Sequence, residues 1–152
     1  MIADLLPASA DNTYRGQRVA LWFFALMPLK ILMGANVMLH APQVARNADG
    51  IPIETFGAQA SSAFSFAFAC WGLGQLVLGL ASLVVLVRYR SLVPLVFLAL
   101  LIEQCGRMLL RLQWPVERAP EAIGAIINPV LLAIIVTGLV LSLWRARLRR
   151  QQ

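Results

Sequence analysis

Apolar residues run along the chain in four long stretches, separated by short clusters of polar, charged and turn-forming residues. Each stretch is long enough to cross a hydrocarbon core about 30 Å thick, which takes about 20 residues of helix. The stretches lie near residues 19–39, 61–87, 92–114 and 123–144. They predict an all-α, four-helix transmembrane bundle, with residues 1–152 forming one integral membrane domain. In hydrocarbon the backbone must satisfy its own hydrogen bonds, and helix does so within each segment. Pro28 and Pro129 fall inside the first and fourth segments. Each is expected to kink or locally open its helix. The link 88–91 is so short that segments two and three must form an antiparallel hairpin. The other connections, 40–59 and 113–121, hold Pro42, Asn47, Asp49-Gly50, Pro52, Pro115 and Pro120, which are turn formers. These loops either cap the bundle or simply connect its spans.

Within the segments, small and polar residues recur on single helical faces. In segment two, Ser61, Ser65, Phe68, Gly72, Gln75, Gly79 and Ser82 follow alternating steps of four and three. In segment four the same spacing joins Gly124, Asn128, Leu131, Ile135, Gly138 and Ser142. In segment one, Met27, Lys30, Gly34 and Val37 share a face. Small residues let membrane helices approach closely, so segments two and four are expected to pack through these stripes. Leu, Val and Phe are then left to face lipid.

Charge changes this picture most in segment three. Glu103, Arg107 and Arg111 stand at i, i+4 and i+8, on one face of a helix. Lys30 stands near the middle of segment one. A charge at the centre of a span costs roughly 3 kcal/mol by insertion scales, and such residues face protein or water. Depth can be counted from the arginines that flank each span, at about 1.5 Å per residue. Lys30, Gln75 and Glu103 fall together at about 18–20 Å, and Asn36, Arg107 and Asn128 at about 26 Å. Asn36 lies about 120° around the helix from Lys30, so its membership depends on the Pro28 kink. Two polar layers are expected. In one reading Glu103 neutralises Lys30 or Arg107 and the layers fix helix register. In the other the cluster lines a cavity, and its excess of positive charge favours an anionic or carbonyl-bearing guest.

Composition supports the membrane assignment. The chain is 60% hydrophobic and 13% charged, with a mean hydropathy of +0.76. Soluble domains carry about 25% charged residues. The net charge of +6 does not point to nucleic acid, because the arginines cluster at segment ends. Eight of them (15, 18, 88, 90, 145, 147, 149 and 150) flank one side, against Arg46, Arg118 and the borderline Arg111 on the other. By the positive-inside rule both termini are cytoplasmic. Trp22 and Trp144 are expected at the inner interface and Trp114 at the outer one. The first 16 residues include Asp4, Pro7, Asp11 and Arg15, unlike a cleaved signal peptide.

Candidate chemistry is sparse. Cys70 and Cys105 lie inside apolar segments with no CxxC spacing, so a structural disulfide is not expected. His40 is the one histidine, too few for a multi-histidine metal site or bis-histidine haem ligation within the chain. No Ser/His/Asp set and no phosphate-cradling loop is evident, and neither a metal nor a cofactor is expected.

The run Cys70-Trp71-Gly72-Leu73-Gly74-Gln75, with Gly79 after it, leads to the basic hairpin Arg88-Tyr89-Arg90. Cys105-Gly106-Arg107-Met108, a proline-bearing loop, a last helix and an arginine tail follow. Over about 90 residues this resembles the DoxX-like group of small four-helix bacterial membrane proteins, in its branch without an assigned function. Gly106 and Arg107 are the positions that carry across; where relatives often open the second helix with arginine, this chain reads Ser61-Ser62-Ala63-Phe64. The resemblance implies a multi-pass protein of the bacterial inner membrane. Some of that group are membrane subunits of sulfur-compound or quinone-linked oxidoreductases, but the missing CxxC argues against thiol chemistry here.

The leading expectation is a non-enzymatic bundle that binds a small amphipathic molecule, such as a lipid or quinone, or that serves in a homo-oligomer or larger membrane complex. The candidate residues are Lys30, Gln75, Glu103, Arg107, Asn128 and Asn36. A dimeric proton-coupled carrier is the alternative. An oxidoreductase or isomerase using Glu103 ranks last, because a carboxylate between cations suits a counter-ion more than a proton donor.

Overall fold

The computed structural model describes residues 5–119 and 122–144. The first four residues and the arginine tail at 145–150 lie outside the described residues, as do Pro120 and Glu121. The described chain is helical, with no strand among the described residues, and four helical segments are long and apolar enough to cross a membrane. Those four are Arg18–Leu39, Ala58–Arg88, Arg90–Gln113 and Gly124–Leu143.

The first span is two helices, α1 (Arg18–Phe24) and α2 (Leu29–Leu39). Pro28 is the cause. Proline has no N–H to donate and its ring crowds the preceding turn. The chain tightens through 25–31, where Leu26, Met27, Leu29, Lys30 and Ile31 each donate to the carbonyl three residues back, at 2.9–3.2 Å. This break aims the two halves at different neighbours. A short helix α3 (Ala41–Asn47) and a single 3-10 turn at Ile53–Thr55 follow. The second span is α4 (Ala58–Arg88), the third is α5 (Val93–Gln113) with Pro94 in its first turn, and the fourth is α6 (Gly124–Leu143). Proline is well suited to a first turn, where its missing N–H is no loss. Pro129 sits in the second turn of α6, and the helix continues through it.

Packing follows the break in the first span. α1 lies against α6, and α2 lies along α4. The small-residue stripes are packing faces, but they do not serve each other. α4 and α6 barely touch. Gly72, Gln75, Gly79 and Ser82 of α4 are buried, and a Cβ on Gly72 or Gly79 would meet the backbone nitrogen of Met38 or Ile31 at 2.6 Å. Gly34 makes the reciprocal approach from α2, where a Cβ would run into the backbone nitrogen of Leu76. On α6, Gly138 receives the ring of Phe97 instead, with its Cζ 2.3 Å from where a Cβ would stand. Segments two and four thus pack through their stripes, each against a different neighbour. Pro28 turns the second half of the first span onto the α4 stripe, and an aromatic side chain of α5 fills the α6 stripe.

The apolar core is Phe24, Met27, Val85, Val93, Phe97, Leu100 and Ile135, toward the end of the bundle that carries the hairpin. Phe24 and Phe97 meet edge to face with centroids 5.1 Å apart. At this end the N-terminal segment crosses the bundle. Gln17 N–H donates to Leu141 O, the Asp11 N–H donates to Ser91 Oγ, and Ser91 N–H donates to Asp11 O. Tyr14 is held there with its hydroxyl buried and without a partner among the described residues, and burial raises its pKa. At the other end the two long loops join. Ala119 N–H donates to Gly50 O at 2.8 Å and Gly124 N–H to Ala48 O at 2.9 Å. Arg118 pairs with Asp49 at 3.1 Å. Gly50 has φ +66°, a left-handed conformation that suits glycine. The loops thus cap the bundle as well as connect its spans. Trp22, Trp114 and Trp144 are all exposed on the outside.

Candidate functional site

All four spans contribute to one polar network between the apolar core and the loop cap. From α2, Lys30 is buried, its Nζ donating to Gln75 Oε1 of α4. Gln75 Nε2 donates to Glu103 Oε1 of α5 at 2.9 Å. Lys30 Nζ also lies 3.7 Å from Glu103 Oε2. Arg107, one turn along α5, places its Nε 2.5 Å from Glu103 Oε1 and donates from Nη2 to Gln104 Oε1. Gln104 Nε2 then donates to the Asn128 carbonyl of α6 at 3.1 Å. Asn128 closes the chain by donating from Nδ2 to Gly124 O at 2.7 Å.

Five of the six residues expected from sequence are in this network. The layer of Lys30, Gln75 and Glu103 is contiguous, and Arg107 and Asn128 meet through Gln104. Asn36 is outside it. Its side chain is exposed, beside His40, Gln43 and Asn47 of the loop end. The kink cannot rotate Asn36 toward Lys30, because the break at 25–28 precedes both and they share the regular helix α2. Their offset of about 120° is kept. Arg111 is also exposed and takes no part.

Gln104 and Trp71 are the members that depth counting misses. Gln104 continues the buried stripe Val93, Phe97, Leu100 at steps of four, three and four, so the periodicity of α5 contained the signal. Trp71 lies one turn from Gln75 along α4, as Arg107 does from Glu103 along α5. The Arg107 Cζ stands 5.2 Å from the Trp71 ring centroid, a cation–π contact between the two helices.

The network is unevenly covered. The Lys30 side chain is 5% exposed, while Glu103 is 20% and Arg107 28% exposed. The two exposed members stand on α5 and reach across to α4, which packs sparsely against it, through Gln75–Glu103 and Trp71–Arg107. Two cations stand against one carboxylate. The other described carboxylates, Asp11, Asp49, Glu54 and Glu117, lie outside the spans. Cys70 and Cys105 are free thiols, exposed and half-buried respectively. Comparison with family models, with curated proteins and with solved structures finds no match for this chain.

Proposed function

We propose that this chain is an inner-membrane protein of the DoxX-like kind whose polar network holds a small amphipathic molecule between the second and third spans. The observation that carries this reading is the network's uneven burial. Lys30 is sealed, but Glu103 and Arg107 stay partly exposed beside α4, which packs sparsely against their own helix. A purely structural ion cluster in hydrocarbon gains by closing on all sides, because any charge left facing lipid keeps its desolvation cost. The test is native mass spectrometry of the protein extracted from its own membranes in a mild detergent. Wild type should carry a stoichiometric adduct, and Arg107→Gln should lose it while remaining folded. A bare wild-type protein overturns the reading.

Both termini face the cytoplasm in this reading, on the strength of the arginine asymmetry. A reporter fused after Gln152 should be active only inside the cell; activity only outside sinks the assignment.

A membrane subunit or homo-oligomer is the second reading. It is favoured by a second small-residue face on α4, at Ala60, Ala63, Ala67, Cys70, Gly74 and Ala81, all exposed. Such faces suit helix–helix contact. A thiol-specific cross-linker acting in membranes should join Cys70 to a neighbouring chain; a chain that stays monomeric under that treatment counts against it.

A further inference from the structure

Beside Arg107 the network is lined by more than charge. Phe56, Phe64, Phe68 and Trp71 form a continuous aromatic ladder, with successive ring centroids 5.7, 5.6 and 5.0 Å apart. Phe56 belongs to the loop cap, and the other three follow one face of α4 at i, i+4 and i+7. The ladder runs from the loop end to Arg107, which lies over its last ring. All four rings are half-buried. Two donors point to the foot of the ladder. Trp71 Nε1 is buried with no acceptor among the described residues. Arg107 ion-pairs with Glu103 through Nε and donates one hydrogen bond, from Nη2 to Gln104; its Nε is buried without a hydrogen-bond acceptor among the described residues.

Resting on the reading above, we infer that the guest is a hydrophobic monocarboxylate. Its carboxylate sits against Arg107 and Trp71 Nε1, and its apolar body lies along Phe68 and Phe64. Charge selects the anion. Lys30 and Arg107 against Glu103 leave one uncompensated positive charge in the network, and a single carboxylate cancels it where a neutral or cationic head does not. Depth selects the small head. Arg107 stands six residues inside the end of α5 at Gln113, about 9 Å below that end by helical rise. A bilayer phosphate remains at the interface, whereas a compact carboxylate can be drawn to that depth. Geometry selects its partner, since a guanidinium and a carboxylate form short charge-assisted hydrogen bonds. Acyl and aryl-alkyl acids share this chemistry.

The experiment uses the full-length protein in a neutral maltoside detergent. Decanoate, decanol and decyltrimethylammonium, which share one chain length, are titrated separately. Tryptophan fluorescence and thermal stability are followed. Decanoate should bind at least tenfold more tightly than decanol, and the cation should not bind. Arg107→Gln should abolish the preference for decanoate, while Arg111→Gln, one turn along and exposed, should retain it. If Arg107→Gln does not fold, Trp71→Phe serves in its place: it keeps a ring in the ladder, removes the N–H, and should weaken decanoate alone. Equal binding of decanoate and decanol overturns the carboxylate while leaving an amphiphile site standing. Binding of none of the three, together with a bare protein in the native spectrum, overturns both. A full decanoate preference surviving in Arg107→Gln also overturns the inference.

Discussion

Gly79→Ala adds one methyl group to a helix face with no room for it. The new Cβ would stand 2.6 Å from the Ile31 nitrogen, 2.8 Å from Ile31 Cγ1 and 3.0 Å from the Lys30 carbonyl carbon. Two of these are backbone atoms of α2, so no side chain can swing aside. Ordinary contact begins near 3.4 Å, so α2 and α4 must part by about 0.8 Å locally. A gap of 0.5–1 Å forfeits about a quarter to a half of the van der Waals attraction of the atoms involved. Between membrane helices that attraction is a principal source of association, because lipid gives no hydrophobic drive. Overpacking of this kind costs about 1–3 kcal/mol. The strain also falls where Lys30 reaches Gln75, one turn from Gly79. Gly72→Ala and Gly34→Ala should behave alike, with backbone atoms at 2.6 and 2.4 Å. Gly74→Ala, on the same helix with nothing within 4 Å, is the control and should be neutral or slightly stabilising. The assay is reversible unfolding in mixed micelles with increasing dodecyl sulfate, followed by tryptophan fluorescence. A Gly74→Ala loss as large as that of Gly79→Ala, or no loss at either site, would refute the α2–α4 contact.

Glu103→Gln should destabilise the bundle by about 3–5 kcal/mol in the same assay, because it leaves Lys30 and Arg107 without their carboxylate. Adding Lys30→Met should recover much of that loss, and a strictly additive double variant would show that the two do not interact. Tyr14→Phe removes a buried hydroxyl that has no partner among the described residues, and should raise stability by up to about 1–3 kcal/mol; a clear loss would show an overlooked acceptor. Because burial raises the Tyr14 pKa, the folded state favours the neutral phenol. Its contribution is complete below the unfolded value near 10 and is lost as pH rises above it. Alkaline melts of wild type should therefore fall more steeply above about pH 10 than those of Tyr14→Phe. Asp49→Asn should cost about 1–2 kcal/mol by weakening the half-buried pair with Arg118, and proteolysis of the 114–119 loop in liposomes should accelerate; unchanged cleavage would mean that the backbone bonds of Gly50 and Ala48 hold the cap alone.

Span number, span limits and polar depth were legible in the sequence because each is a property of one helix. A helix in hydrocarbon must be long enough, must satisfy its own backbone and must rise about 1.5 Å per residue. Counting from flanking arginines therefore placed Lys30, Gln75 and Glu103 at one level, and in the structure those three side chains touch. The buried positions of the α4 and α6 stripes were legible for the same reason, since Gly72, Gly79, Gly138 and Ser142 follow a fixed period. What each face meets is a relation between helices, and only the tertiary structure decided it. Pro28 marked a break, but the sequence did not show that the break sends α1 to α6 and α2 to α4. Azimuth likewise put Asn36 outside the network and brought in Gln104 through a neighbouring carbonyl on α6. The contact of Arg107 with Trp71 across the sparsely packed α4 and α5 depends on how far two helices diverge beyond their hairpin. Depth along a helix is fixed by local geometry, whereas direction around it acquires meaning only when four helices compete for the same interior.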